Sequence, residues 1–209
     1  MHPFLAYGLP LLFVGGLGLA AGWLPVPGPL TTDELAEQAI VAMKVGDPRS
    51  AGYFQDALAQ TPDHVRANFG AAMLAYDQQR FDDAEKYLKA VVAKDATHFE
   101  AWITLGALYQ KLKRLDEAEA IFQKLRKIEP KDSRLYFNLA YLEVARQRYP
   151  KALEYTAEYL RLVPAREGTP ARTRMVELEH GIKELYKDAK AIAEMDRKAQ
   201  LEKQKLKTK

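Results

Sequence analysis

The chain contains no cysteine. Disulfides, thiolate zinc sites and a cysteine nucleophile are therefore excluded, and the redox compartment is left open. Histidine is scarce too, with His2, His64, His98 and His180 scattered along the chain and no HExxH or nucleophile elbow around them. Asp82-Asp83 and Asp116-Glu117 stand where helices begin, which suits the positive helix end better than acid–base catalysis. These absences point away from an enzyme, a metal site, a cofactor and a small-molecule substrate. Charge of one sign is also lacking: the net charge of the 209 residues is only +3. Residues 31–166 hold 20 basic and 20 acidic side chains, whereas residues 167–209 hold 11 and 8, so the excess lies in the tail.

What is present begins with a stretch without charge. Phe4 to Leu24 are 21 consecutive uncharged residues, and at about 1.5 Å per residue such a helix matches a hydrocarbon core of about 30 Å. Tyr7 and Trp23 sit near its ends, Pro10 can kink it, and Pro25, Pro27 and Pro29 end it in a stiff spacer. Residues 1–30 are read as a single-pass membrane anchor and spacer, with the bilayer as partner through residues 4–24. The alternative is a cleaved secretory signal with Gly18-Leu19-Ala20 near the cut. Met1-His2-Pro3 supplies no positive leader, and the apolar run is longer than a signal needs. Gly16, Gly18, Ala20 and Gly22 leave small-residue stripes on which another membrane helix could pack, although glycine is common in membrane helices anyway. The same letters contain a GxGxxA spacing with no strand before it, so dinucleotide binding is dismissed. Asp33, Glu34 and Glu37 follow the anchor, and few lysines or arginines flank it. That favours, weakly, an array outside the cytoplasm.

Beyond residue 30 the chain repeats. Ala84, Ala118 and Ala152 stand 34 residues apart, and Pro62, Pro130 and Pro164 lie on the same grid, broken only at Ala96. Trp102, Leu105, Gly106 and Tyr109, then Ala118, Phe122 and Pro130, make the strongest unit, 99–132. Units 65–98 and 133–166 keep the small residues Ala72, Ala84, Ala140 and Ala152, while 31–64 is the most eroded. This pattern resembles the tetratricopeptide repeat (TPR) family. The resemblance implies an all-α solenoid of about four helix-turn-helix units, here with one transmembrane helix before it and a capping helix after it.

The resemblance also implies a concave groove lined by the first helix of each unit. One register places Leu35, Met43, Phe69, Met73, Tyr76, Ile103, Phe137, Tyr141 and Val144 there, with some of them serving the core instead. The family's carboxylate clamp is not implied, because its places carry Leu35, Ala39, Gly70, Glu100 and Thr104. An apolar and aromatic lining suits an amphipathic or extended protein segment.

Residues 167–209 are read as a capping helix and a basic tail. Met175, Leu178, Ile182, Leu185, Ala189 and Ile192 recur at spacings of three and four, giving one apolar stripe. Lys203, Lys205, Lys207 and Lys209 end the chain. Anionic lipid or an acidic partner could meet them, but a solvated helix end is the plainer reading. No aromatic residue is interleaved with them, so nucleic acid is not expected. The chain as a whole reads as a membrane-anchored adaptor or scaffold, an accessory or assembly subunit of a membrane protein complex, working by docking other protein subunits. The alternative is a soluble exported chaperone or adaptor.

Overall fold

The computed structural model describes residues 28–165 and 168–207. The anchor read at 4–24, including Gly16, Gly18, Ala20 and Gly22, lies outside them. Among the described residues no helix is long and apolar enough to cross a membrane. The chain divides into two units, Met1–Leu30 and Thr31–Lys209, and every described helix lies in the second.

Nine helices and no strand occur among its described residues. They are α1 (Thr32–Lys44), α2 (Ser50–Gln60), α3 (Val65–Asp77), α4 (Phe81–Lys94), α5 (Phe99–Lys111), α6 (Leu115–Ile128), α7 (Ser133–Ala145), α8 (Tyr149–Leu162) and α9 (Pro170–Lys207). α3, α5 and α7 begin one 34-residue period apart, as do α4, α6 and α8. The cause is visible at their ends. His64 and His98 accept from the backbone N–H of Ala67 and Ala101, each at 3.2 Å through Nδ1, and Asp132 accepts from Arg134 N–H at 2.8 Å. These caps satisfy amide groups that a helix start leaves without intrahelical partners. His64 and His98, which looked scattered, are thus one period apart because they do the same job. α1 starts with a reciprocal capping box, Thr31 N–H donating to Glu34 at 2.8 Å and Glu34 N–H to Thr31 Oγ1 at 3.3 Å.

The turns within units recur as well. Gln79, Lys113 and Gln147 take φ of 60°, 63° and 58°, and the amides of Arg80, Arg114 and Arg148 reach back to Ala75, Tyr109 and Glu143 carbonyls at 2.8 Å. That is the left-handed closure which satisfies carbonyls at a helix end and reverses the chain. In the first unit the left-handed residue is Gly46, φ 71°, and α2 begins only at Ser50.

The packing follows the small residues. Ala72, Ala84, Ala118, Ala140 and Ala152 are all fully or almost fully buried, so the paired helices approach closely there. One core runs through α3 to α9 and includes Leu88, Leu108, Phe122, Leu135, Leu142 and Met175. A smaller one joins Leu35, Ala39, Phe54 and Ala57 to Ala67 and Ala71 of α3. Phe54 explains Gly70: a Cβ there would lie 2.4 Å from its ring.

α9 covers the last unit with only part of its stripe. Met175 and Ile182 are buried and Leu178 is half-buried, whereas Leu185 is exposed; the side chains of Ala189 and Ile192 are outside those described. Arg172 donates to the carbonyls of Leu160 and Val163, tying the start of α9 to the exit of α8.

Candidate protein-binding site

The first helices α3, α5 and α7 carry three columns of residues spaced by the period: Phe69, Ile103 and Phe137; Met73, Ala107 and Tyr141; Tyr76, Gln110 and Val144. Residues in one column fall at the same turn of successive helices, so a column forms a strip across the array. Near the ends of these helices parts of the strips border an open concave pocket of about 820 Å³. Tyr76, Phe137, Tyr141 and Val144 line it, together with Ala107, Gln110, Asn138 and Ala145. Lys111, Lys113 and Arg174 complete the wall.

Four of the nine residues assigned to the groove therefore meet in one pocket. Phe69, Met73 and Met43 are half-buried outside it, with Phe69 against the His98 ring at 5.0 Å. Leu35 and Ile103 are buried at 6% and 9% exposure and belong to the fold's core, correcting their placement in the groove. Two more of the clamp places, Ala39 and Gly70, are likewise buried. Ala107 and Gln110 share columns with residues assigned to the groove but are neither large nor apolar enough to stand out, whereas Asn138 falls in the column of Gly70 and Thr104, outside those assigned. Arg174 could not have been found from the columns, since α9 lies outside the repeat.

Aromatic contacts hold the floor in place. Phe137 packs on Tyr141 at 4.9 Å and on Tyr159 at 5.9 Å between ring centroids. Arg174 lies over the Phe137 face at 5.9 Å, and Lys111 stands 6.0 Å from the Tyr76 ring and 5.4 Å from Phe81. Such cation–ring contacts fix both the charge and the ring. Among the described residues no group of His, Asp or Glu is arranged to hold a metal ion.

Behind the groove an ion network joins the second and third units. Glu85 meets Arg114 at 2.5 Å, Lys89 at 2.6 Å and the Tyr109 hydroxyl at 3.1 Å. Burial pushes the Glu85 carboxyl up, but the hydrogen bonds from Arg114, Lys89 and Tyr109 outweigh it and bring the value from 4.5 down to about 2. Because the folded value lies below the unfolded one, the stabilisation is complete above about pH 4.5 and is lost as the pH falls through about 2. Glu85→Gln should cost about 1–2 kcal/mol at pH 7 and progressively less between pH 4.5 and 2. Urea melts of both proteins across that range check it, and a constant difference would show that the charge is not the cause.

The fold is thus an all-α repeat solenoid with a concave pocket of about 820 Å³. Residues 37–99 and 75–140 match profiles of the tetratricopeptide repeat, so this chain carries tetratricopeptide repeats. It is 30% identical over 116 residues to the protein O-mannosyl-transferase Tmtc3 of Drosophila melanogaster, a stretch covering 55% of this chain and 12% of that one. The chain therefore spans about an eighth of that relative. Among solved structures it is similar to a tetratricopeptide repeat protein of Parabacteroides merdae, at 18% identity and TM-score 0.66 over 79% of this chain and 63% of that one. It is similar also to Pseudomonas aeruginosa pilF, at 19% identity and TM-score 0.62 over 78% and 72% of the two chains. MamA of Desulfovibrio magneticus RS-1 matches at 15% identity and TM-score 0.59 over 75% and 96%. At these identities the structural likeness shows the fold alone.

Proposed function

We propose that this chain is a non-catalytic adaptor that captures a protein segment in the pocket between α3, α5 and α7, and that Phe4–Leu24 fixes it in a membrane as an accessory or assembly subunit of a larger complex. The observation that carries the binding role is the pocket of about 820 Å³ with Tyr76, Phe137 and Tyr141 on its wall. Half-buried rings on a scaffold of packed helices are pre-ordered, so little side-chain entropy is lost when a partner covers them. The uncharged run of 21 residues supports the membrane part, and Asp33, Glu34 and Glu37 support an array on the extracytoplasmic side.

Phe137→Ala and Tyr141→Ala should each weaken capture of the partner about tenfold or more, as truncation of aromatic anchors at interface centres does. Both positions are half-buried, so helical content should stay unchanged. The measurement is mass spectrometry of what co-purifies with the full chain in mild detergent, followed by affinities for the partner found. Undiminished capture by both variants would refute the pocket. Carbonate extraction with intact mass tests the anchor: a soluble product beginning near Ala21 would favour an exported soluble adaptor, the reading that Gly18-Leu19-Ala20 suggests.

A further inference from the structure

The pocket is lopsided in charge. Lys111, Lys113 and Arg174 line it and no Asp or Glu does. Several basic groups elsewhere on the array are matched, as Arg66 is by Glu37, Arg80 by Asp83, Arg134 by Glu100 and Asp132, and Arg146 by Asp116 and Glu119; what distinguishes the pocket is that its cations share one concave wall that carries no acid. Among the described residues none of the three pocket cations pairs with a carboxylate. Their surroundings do not cancel them either. The ends of α3, α5 and α7 present roughly half a negative charge each, about half of what three cations supply. Asp77 is exposed at the end of α3 but is not on the wall. Cations that line one concave pocket with an apolar floor and no acid on its wall focus a positive potential into it.

We infer that the occupant of the pocket is an acidic protein segment: an apolar or aromatic side chain seated on Phe137 and Tyr141, flanked by Asp or Glu side chains that meet Lys111 and Lys113 on one side and Arg174 on the other. The inference rests on the binding role proposed above and adds the chemistry of the partner. It also gives α9 a second task. By packing Met175 and Ile182 on the last unit, α9 brings Arg174 over the Phe137 ring, so the cap that shields the core also supplies one wall of the site. The repeats alone would leave the pocket open there. The charge-matched Glu100–Arg134 pair on the same two first helices, at 3.2 Å, provides no such preference, which places the selectivity at the α9 end.

The full chain in mild detergent is panned against a phage-displayed random dodecapeptide library, and the recovered peptides are synthesised for affinity measurements. Enriched peptides should be net acidic around an apolar or aromatic residue. Their binding should fall about tenfold in the triple variant Lys111→Gln, Lys113→Gln, Arg174→Gln, the sum expected of three solvent-facing ion pairs. It should also weaken with rising salt between about 50 and 300 mM. Phe137→Ala should weaken every enriched peptide. Peptides that are lost in Phe137→Ala but carry no acidic bias and bind the triple variant normally would overturn this inference while leaving the pocket as the binding site. Peptides indifferent to Phe137→Ala, or no enrichment at all, would overturn the site and the inference together. A labelled oligothymidylate is the competing anion, because rings beside cations also suit base stacking; binding equal to that of the peptides would overturn the choice of protein as the occupant.

Discussion

Gly106→Val should cost the array about 3 kcal/mol or more and lower its melting temperature steeply. A Cβ on Gly106 would lie 2.5 Å from Phe122 Cε1, 2.8 Å from Cζ and 3.2 Å from Cδ1. Phe122 is fully buried and cannot swing away, so α5 and α6 must separate. Overpacking by one methyl costs about 1–3 kcal/mol, reduced for Gly106→Ala by the roughly 1 kcal/mol that alanine gains over glycine in a helix; the branched valine loses most of that gain and adds two further methyls. Neighbouring units show how the strain is relieved. In the slots of Gly106 and Phe122, the second unit has Ala72 and Leu88 and the fourth has Ala140 and Thr156, all buried. Bulk on one helix is exchanged for bulk on the other. Phe122→Leu added to Gly106→Ala should therefore recover stability to within about 1 kcal/mol of the parent. Additive losses in urea melts of the two single variants and the double would show that the rings and the glycine do not meet.

That exchange also shows why the repeat could be read from the letters and the site only partly. Trp102, Gly106, Ala118, Phe122 and Pro130 are set by helix-pair sterics, which admit few side chains, so the period survives in the sequence. The first unit is harder to read because its small residue left the pattern: Phe54 keeps the slot of Phe122, but Gln38 occupies the glycine slot, and the Phe54 ring packs instead on Gly70 of the next unit. A position read as facing the ligand is in fact a core contact. Groove residues obey weaker rules. A half-buried aromatic on a first helix can serve the core or the ligand, and only the tilt of successive units decides which. Ile103 and Phe137 share one column, yet Ile103 is buried while Phe137 lines the pocket. Charge partners are less legible still. Glu85, Tyr109 and Arg114 are 24 and 29 residues apart in their pairings, and no helical spacing joins them.

Lys151→Met should destabilise the last unit by about 2–4 kcal/mol, and Glu143→Leu in the same chain should return most of the loss. Glu143 is fully buried in α7, one period after Tyr109. Tyr109 has a hydroxyl that reaches Glu85, whereas Glu143 brings a whole negative charge into the same layer. Lys151 Nζ stands 3.0 Å from its Oε1 and Arg148 Nη1 3.6 Å from its Oε2, yet neither carboxylate oxygen receives a directed hydrogen bond. The charge is compensated and the lone pairs are not. Removing one partner of a buried pair costs about 3–5 kcal/mol because the other charge is stranded, while replacing both by apolar groups is often neutral or better. Arg148 remains in the single variant and lessens the loss. Arg146 and Arg148, which contact Glu119 of α6 at 2.9 and 3.8 Å, keep the third and fourth units joined in the double variant. Thermal melts of the two single variants and the double decide it. If Lys151→Met were harmless and the losses of the two single variants simply added in the double, Lys151 would not be the partner that compensates Glu143.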